Sequence, residues 1–410
     1  MNNIDKNNFL KDITLGLQHT FTMFGSVVLV PKLLGLDISV AIFMAGIETL
    51  IFHFFTKGRI PIFLGSSFEL MPPIIAATAL YGTEYALGGI VICSLVYIIG
   101  SMLVYHIGFK KIIAIFPPVI TGSISIAVGL SLANHAISLS NENWFLATLT
   151  FLIVTLINIY CKGITKILSI FLGLSISYGL SIMLTIFTNY SLIDFSSLNQ
   201  ASWFGIPEFS IAKFNLESIL LILPYTICSM VDHIGDIVVT GAIVKKDFVK
   251  NPGLHRTLLG DGIAMSISSL FGGPPNATYS ENIGVLALTQ NFNPKVIRIA
   301  AVFSIILSFV PKLSVLIMTI PNSIIGGVSI VLFGTISAMG INQFIEKKVD
   351  MTKPKNIILV TTIFILSLGG ASLNISLFNM KFVIEGLGLA SIVGIMLNLL
   401  FNSLDYLIRR

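Results

Sequence analysis

Charge is what this sequence has least of. Only 10% of its 410 residues are Asp, Glu, Lys or Arg, while 55% are hydrophobic, against roughly 25% charged residues in soluble domains. Too few solvating groups remain to cover a soluble core of this size, so the chain is expected to be an integral membrane protein. Cysteine is scarce as well. Cys93, Cys161 and Cys228 sit in apolar stretches without CxxC spacing, so neither a disulfide framework nor a zinc site is indicated. No GxxxxGK[ST] loop, HExxH pair or GxSxG elbow occurs. ATP-driven transport, enzymatic chemistry, a metal and a cofactor are therefore all unexpected. The first residues, MNNIDKNNFLKD, lack the charged, apolar and small-residue succession of a cleaved signal, and the first span is expected to be retained. The net charge of +5 is explained by cytoplasmic Lys and Arg in a polytopic chain rather than by nucleic acid.

What is abundant is apolar run after apolar run. Breaks at charged or turn-rich residues predict spans at 13–31, 38–56, 61–81, 87–107, 113–137, 143–161, 166–189, 217–238, 257–272, 276–291, 295–318, 321–345, 355–376 and 382–403. Fourteen spans of roughly 20 residues use about 280 of the chain, which leaves no room for an appended soluble domain. With both termini cytoplasmic, all of the 24 Lys and Arg fall in inner segments except Lys32, Lys213, Lys312 and Lys381, as the positive-inside rule requires. Twelve spans with two re-entrant loops would keep the same sidedness.

The longest outer segment, near Ile193–Ser218, divides the chain into two halves of seven spans. An odd number per half makes the second half an inverted repeat of the first, a transporter architecture. The third span opens PIFLGSSFELMPP and its counterpart opens GGPPNATYSENIG. Each reads as extended backbone that breaks a span and leads into a half-helix, and such paired interruptions point to a midplane binding site. Two ordinary proline kinks are the plainer alternative.

Seven acids fall inside predicted spans: Glu48, Glu69, Asp232, Asp236, Asp261, Glu281 and Glu385. Each costs at least ~2.5 kcal/mol at membrane depth, and Lys312 is essentially the only base available there. They must be protonated, hydrated in a cavity or bonded to a ligand. Asp232 and Asp236 are four residues apart, so they share a helix face and one of the two should hold a proton. Glu281 opens a half-helix whose dipole favours its anion. Asp261, beside Gly262, is either functional or bonded to neighbouring backbone. Glu48 and Glu69 face the cavity or an interface, and Glu385 is expected to be solvated at a span's outer end. His19 and His233 read as helix-packing residues.

ENIGVLALT at 281–289 resembles the signature of the nucleobase–ascorbate transporters, with Gln290 where a basic residue or Gly usually follows. FLGSSF at 63–68, FPPVITG at 116–122, KKDFVKNPGLHR at 245–256, GDGI at 260–263 and FGGPPNATYSENIGV at 271–285 are similar to segments of its bacterial uracil permeases. The resemblance implies an all-α polytopic membrane fold of 14 transmembrane segments in two inverted seven-span repeats, with short strands in spans 3 and 10. It implies a core domain of residues 1–108 (spans 1–4) and 212–318 (spans 8–11). The gate domain would comprise 109–211 (spans 5–7) and 319–410 (spans 12–14). Phe68 would stack on a nucleobase, and Asp232 and Glu281 would bond its edge, with Ser67, Tyr279 and Ser280 nearby. Protons would be coupled through Asp232, Asp236, Glu281 and Asp261. The expected protein is a proton-coupled uracil symporter of the inner membrane, dimeric through its gate domain. Several positions depart from the family pattern: Asp232 where Glu is usual, Asp236 where some uracil permeases have His, Phe333 in place of Tyr, and Glu48 and Glu69 in place of small residues. A xanthine or other purine permease, and an anion exchanger or channel of the same architecture, therefore remain open.

Overall fold

The structure, a computed structural model, describes residues 3–108, 117–187, 192–377 and 380–408. Lys110, Lys111, Arg409 and Arg410, expected on the inner side, lie outside the described residues. The chain is mostly helical. It begins with α1 (Asn3–Leu34) and α2 (Ile38–Phe55), then a short strand β1 (Leu64–Ser66) and α3 (Met71–Tyr81). The apolar stretch that follows holds α4 (Thr83–Cys93), α5 (Leu95–Ile107), α6 (Pro118–Ser131), α7 (Ala133–Ser140) and α8 (Trp144–Tyr160). A single turn α9 (Ile164–Ile167) precedes α10 (Ser169–Phe187), and a short α11 (Ser196–Gln200) leads to the long α12 (Leu216–Val244). Next come α13 (Leu254–Leu270), strand β2 (Asn276–Thr278), α14 (Ser280–Thr289), α15 (Pro294–Ser308) and α16 (Pro311–Met318). The chain ends with α17 (Asn322–Glu346), α18 (Pro354–Leu368), strands β3 (Ser372–Leu377) and β4 (Met380–Glu385), and α19 (Gly386–Ile408).

Among the described residues, eight helices are long and apolar enough to cross a bilayer, or nine if α15 and α16 count as one broken span. The protein is thus a multi-pass membrane protein. Two predicted spans take a different form. The stretch at 295–318 bends by 81° between α15 and α16, because Pro311 has no N–H to continue the ladder and its ring displaces the preceding turn. The stretch 355–376 ends as a helix at Leu368, and 372–385 forms an antiparallel hairpin with Ser372 paired to Glu385. SLNISL alternates polar and apolar residues, a period of two that suits a strand and defeats a helix. Glu385, expected at a span's outer end, is the last residue of β4, and its carbonyl accepts a bond from the Tyr225 hydroxyl at 3.4 Å.

β1 and β2 come from distant parts of the chain and pair antiparallel, with Leu64 opposite Thr278, Gly65 opposite Ala277 and Ser66 opposite Asn276. The ladder continues beyond the strands: Ser67 N–H donates to the Pro275 carbonyl at 2.8 Å and Tyr279 N–H to the Phe63 carbonyl at 3.1 Å. Non-helical backbone at membrane depth is tolerated only when its polar groups are satisfied inside the protein, and each strand does this for the other. Neighbouring helices hold the pair. Leu64 N–H donates to Thr49 Oγ1 of α2 at 2.9 Å, and Asn276 Nδ2 to the Asp261 carbonyl of α13 at 3.4 Å.

Gly65 is fixed by close approach. A Cβ there would stand 2.5 Å from Cζ of Tyr279, whose ring lies across β1 and whose hydroxyl donates to the Ser66 carbonyl at 3.2 Å. A further anchor joins the ends of α1 and α16, where Lys32 Nζ donates to the carbonyls of Ile317, Met318 and Ile320 at 3.0, 3.1 and 2.6 Å. Gly65→Ala is expected to displace the Tyr279 ring and cost about 1–3 kcal/mol. Thermal unfolding of the detergent-purified protein reads this out as a lowered midpoint, and an unchanged midpoint would contradict the packing.

Candidate functional site: a cavity beside the paired strands

A cavity of about 430 Å³ opens beside β1 and β2. One wall is made by the two segments that leave the strands, with Ser66, Phe68 and Glu69 ahead of α3 and Thr278, Tyr279, Glu281 and Gly284 at the start of α14. Asp232 and Gly235 of α12, three residues apart on one helix face, form a second. Residues of α6, α8, α9, α10 and α17 form the rest, among them Thr121, Asn158, Lys166 and Gln343.

The local sequence explains how the acids are presented. α14 begins without a side-chain cap, so its first N–H groups keep donor capacity for an acceptor at the helix start. Glu281 sits in that first turn; its carboxylate takes a bond from its own backbone N–H and, at 2.9 Å, from the Ser26 hydroxyl of α1. α3 also starts uncapped, but Pro72 and Pro73 occupy its first positions and carry no N–H. The two half-helix starts therefore differ in chemistry. That of α14 offers backbone donors and an anchored carboxylate, and that of α3 offers the buried aromatic Phe68 and the carboxylate Glu69, which accepts from Ser67 Oγ at 2.7 Å.

The residues singled out in the sequence fall into layers. Phe68, Asp232, Tyr279 and Glu281 line the cavity. Ser67 is buried behind the wall and reaches it through Glu69. The backbone of Ser280 opens α14, and its side chain lies outside the described residues. Asp236, one turn beyond Asp232, is not on the wall; its carboxylate accepts from the Thr278 hydroxyl of β2 at 2.5 Å. Asp261 lies deeper, fully buried, with Oδ2 2.8 Å from Nδ1 of His233. That contact is close but not aligned as a hydrogen bond. Glu48 is buried on α2, away from the wall.

Ser26, Thr121, Asn158, Lys166 and Gln343 went unrecognised in the sequence. Thr121 lies within FPPVITG and donates to Gln343 Oε1 at 3.0 Å, and that motif was its only signal. Ser26 meets Glu281 across 255 positions of chain, and Lys166 read as an inner-loop base.

This arrangement defines a class: a multi-pass membrane protein with a polar cavity beside two paired non-helical segments. A model of the xanthine–uracil permease type, described as the Permease family, matches residues 10–376, and the chain belongs to this family. It is 41% identical over 413 aligned residues to the uracil permease of Paenibacillus larvae, covering 97% of this chain and 96% of that one. It is 38% identical to the uracil permease of Escherichia coli K12, covering 97% and 93%, and 36% identical to that of Bacillus subtilis 168, covering 95% and 92%. Among solved structures, the transmembrane domain of the cyanobacterial bicarbonate transporter BicA has a similar fold, with a TM-score of 0.64, 13% identity and coverage of 96% and 97%. SLC26A9 is similar with a TM-score of 0.71 and 10% identity over 96% of this chain and 65% of that one. These two similarities concern the fold alone. The family and these relatives are permeases, and the protein is a transporter rather than an enzyme.

The cavity wall has a direct chemical readout. Gly235 lines it, and beyond the neighbouring backbone of its own helix no atom lies within 4 Å of the position a Cβ would take. With Cys93, Cys161 and Cys228 replaced by Ser, Gly235→Cys is expected to react with a small polar thiol reagent. A Cys replacing Ala264, which is fully buried, should stay protected. Equal protection at both positions would mean that the cavity is closed.

Proposed function

We propose that this protein imports uracil across the inner membrane together with protons. The observation that carries the reading is that Phe68 and Glu281, from the two half-helix starts, and Asp232 of α12 line one cavity, in a chain 36–41% identical over nearly its full length to proteins named uracil permeases. Uracil is a neutral planar ring edged by alternating N–H donors and carbonyl acceptors. Phe68 stacks on its face, Glu281 and Asp232 accept from its N–H groups, and the uncapped amides at the start of α14 donate to a carbonyl. Ser67, Tyr279 and Ser280 complete the surround.

The same reading counts 14 spans as two inverted sevens, with α13, α14 and the shorter apolar helices α3, α8 and α18 as spans. Residues 1–108 and 212–318 form the core, residues 109–211 and 319–410 the gate, and both termini are cytoplasmic. A second copy joins through the gate. The antiparallel pairing of β1 with β2, each from the third span of its half, supports the two-fold relation.

Three carboxyl groups, Glu69, Asp232 and Glu281, line the cavity, and Lys166 is the single base among the described lining residues. Protons shared among the acids and the Asp236 and Asp261 groups behind them balance that charge as the cavity alternates between the two sides. One proton moved through 100 mV supplies ~2.3 kcal/mol, about fifty-fold accumulation. Asp236, the departure that favours a purine, bonds to Thr278 and stays off the wall. An anion would meet three carboxylates.

Labelled uracil uptake into proteoliposomes should collapse with a protonophore, and sodium-dependent, protonophore-insensitive uptake would reject the proton coupling. Unlabelled uracil should compete better than xanthine, hypoxanthine or adenine. Glu281→Gln is expected to weaken uracil binding by about 10- to 100-fold, the loss of one charge-assisted bond. An unchanged dissociation constant would remove Glu281 from the site.

A further inference from the structure

Two openings along α1 and α15 play no part in the cavity described above. The first is an open groove of about 270 Å³ lined by Phe9, Ile13, Ile299, Val302 and Phe303, with Lys295 and Arg298 at the start of α15 completing it. Beside it the two helices are in close contact, since a Cβ on Gly16 would stand 2.5 Å from Cγ2 of Ile299. The second is an apolar cavity of about 300 Å³ whose walls include Phe21, Phe24, Leu307 and Leu316, together with Phe171 and Leu174 of α10. The three hydroxyls in its lining are already engaged: Thr20 with the Gly16 carbonyl, Ser175 with the Phe171 carbonyl, and Tyr178 with Thr319. Such a space gives water no partners.

The two openings lie along one stripe. Thr20 and Phe24 follow Ile13 on α1 by about two and three turns, and Leu307 follows Phe303 on α15 by about one. Ile13 to Phe24 spans about 16 Å of helix, comparable to an extended acyl chain.

Charge settles which molecule fits. Lys295 Nζ lies 3.3 Å from Asp12 Oδ2 and 5.6 Å from the centre of the Phe9 ring, so part of its charge is spent. Arg298 is exposed, with Nη1 2.5 Å from where a Cβ on Gly58 would stand, and it has no acidic partner among the described residues. An unspent guanidinium at the head of an apolar furrow on two membrane helices matches a phosphate joined to an acyl chain, since a charged headgroup alone would leave the furrow empty.

We infer that the α1–α15 furrow binds an anionic phospholipid. Its phosphate sits at Arg298 and Lys295, and one acyl chain runs along Ile13, Ile299 and Phe303 toward the apolar cavity. Assigning the lipid to the cytoplasmic leaflet rests on the orientation proposed above, but the binding does not.

The test is native mass spectrometry of the full-length protein in detergent, titrated with phosphatidylglycerol or with phosphatidylcholine of the same chains. Phosphatidylglycerol should be retained in preference, and Lys295→Gln with Arg298→Gln should weaken it about thirtyfold, at roughly a unit charge's surface contribution each. Val302→Trp, which fills the furrow and spares both cations, should also displace it, and Lys250→Gln, at an exposed lysine outside the groove lining, should change nothing. Equal retention of the two lipids, or retention unaffected by the paired Gln variants, would overturn the proposal. Displacement of the lipid by millimolar inorganic phosphate, with Val302→Trp without effect, would assign the site to a free phosphate and likewise overturn it. None of these readouts depends on uracil transport, so their failure and that of the proposed function are distinguishable.

Discussion

The cavity depends on a backbone constraint. Two buried segments beside it are not helical, and each N–H or C=O shut away from water there costs several kcal/mol unless it finds a partner. β1 and β2 are the solution: three residues from each segment, paired across more than 200 positions of sequence. The aromatic and acidic side chains of the cavity wall stand where they do because these strands end and helices begin at fixed points. Thr49 from α2, the Tyr279 ring over Gly65, and Thr278 bonded to Asp236 tie the pair to its surroundings.

From this constraint follows a division of labour between the two half-helix starts. Proline removes donors from one and leaves it an aromatic face and a carboxylate. The other keeps its amides and holds Glu281 through Ser26. A planar molecule with both donors and acceptors on its edge needs both kinds of wall, and two helix starts of identical chemistry would supply only one.

Much of this was legible in the sequence, for a physical reason. A membrane helix is a long, monotonous signal, so interruptions in it stand out, and the two motifs that carry Phe68 and Glu281 were visible as paired failures of hydrophobicity. Acids at membrane depth are costly enough to be conspicuous, which is how Asp232 was picked out. What escaped was whatever depends on packing between distant helices. Ser26 looks like any helix serine until α14 arrives against it. Asp232 and Asp236 share a face in sequence, yet the strand takes up Asp236 and leaves Asp232 to the cavity. The 372–385 hairpin was absorbed into two spans because its apolar residues satisfied a hydropathy window while their alternation, the informative property, went unweighed. The 81° bend at Pro311 was likewise hidden inside one apolar run.

The three carbonyls gathered on Lys32 lie at 317, 318 and 320, the point where the proposed core passes into the proposed gate. Three bonds to one ammonium tie this junction to the end of α1, and in the proposed division it would serve as a pivot. Relative travel of the two bodies would then be smallest beside the clamp and grow with distance from it. A rocking stroke, with its axis near one membrane face, follows more naturally than a uniform slide.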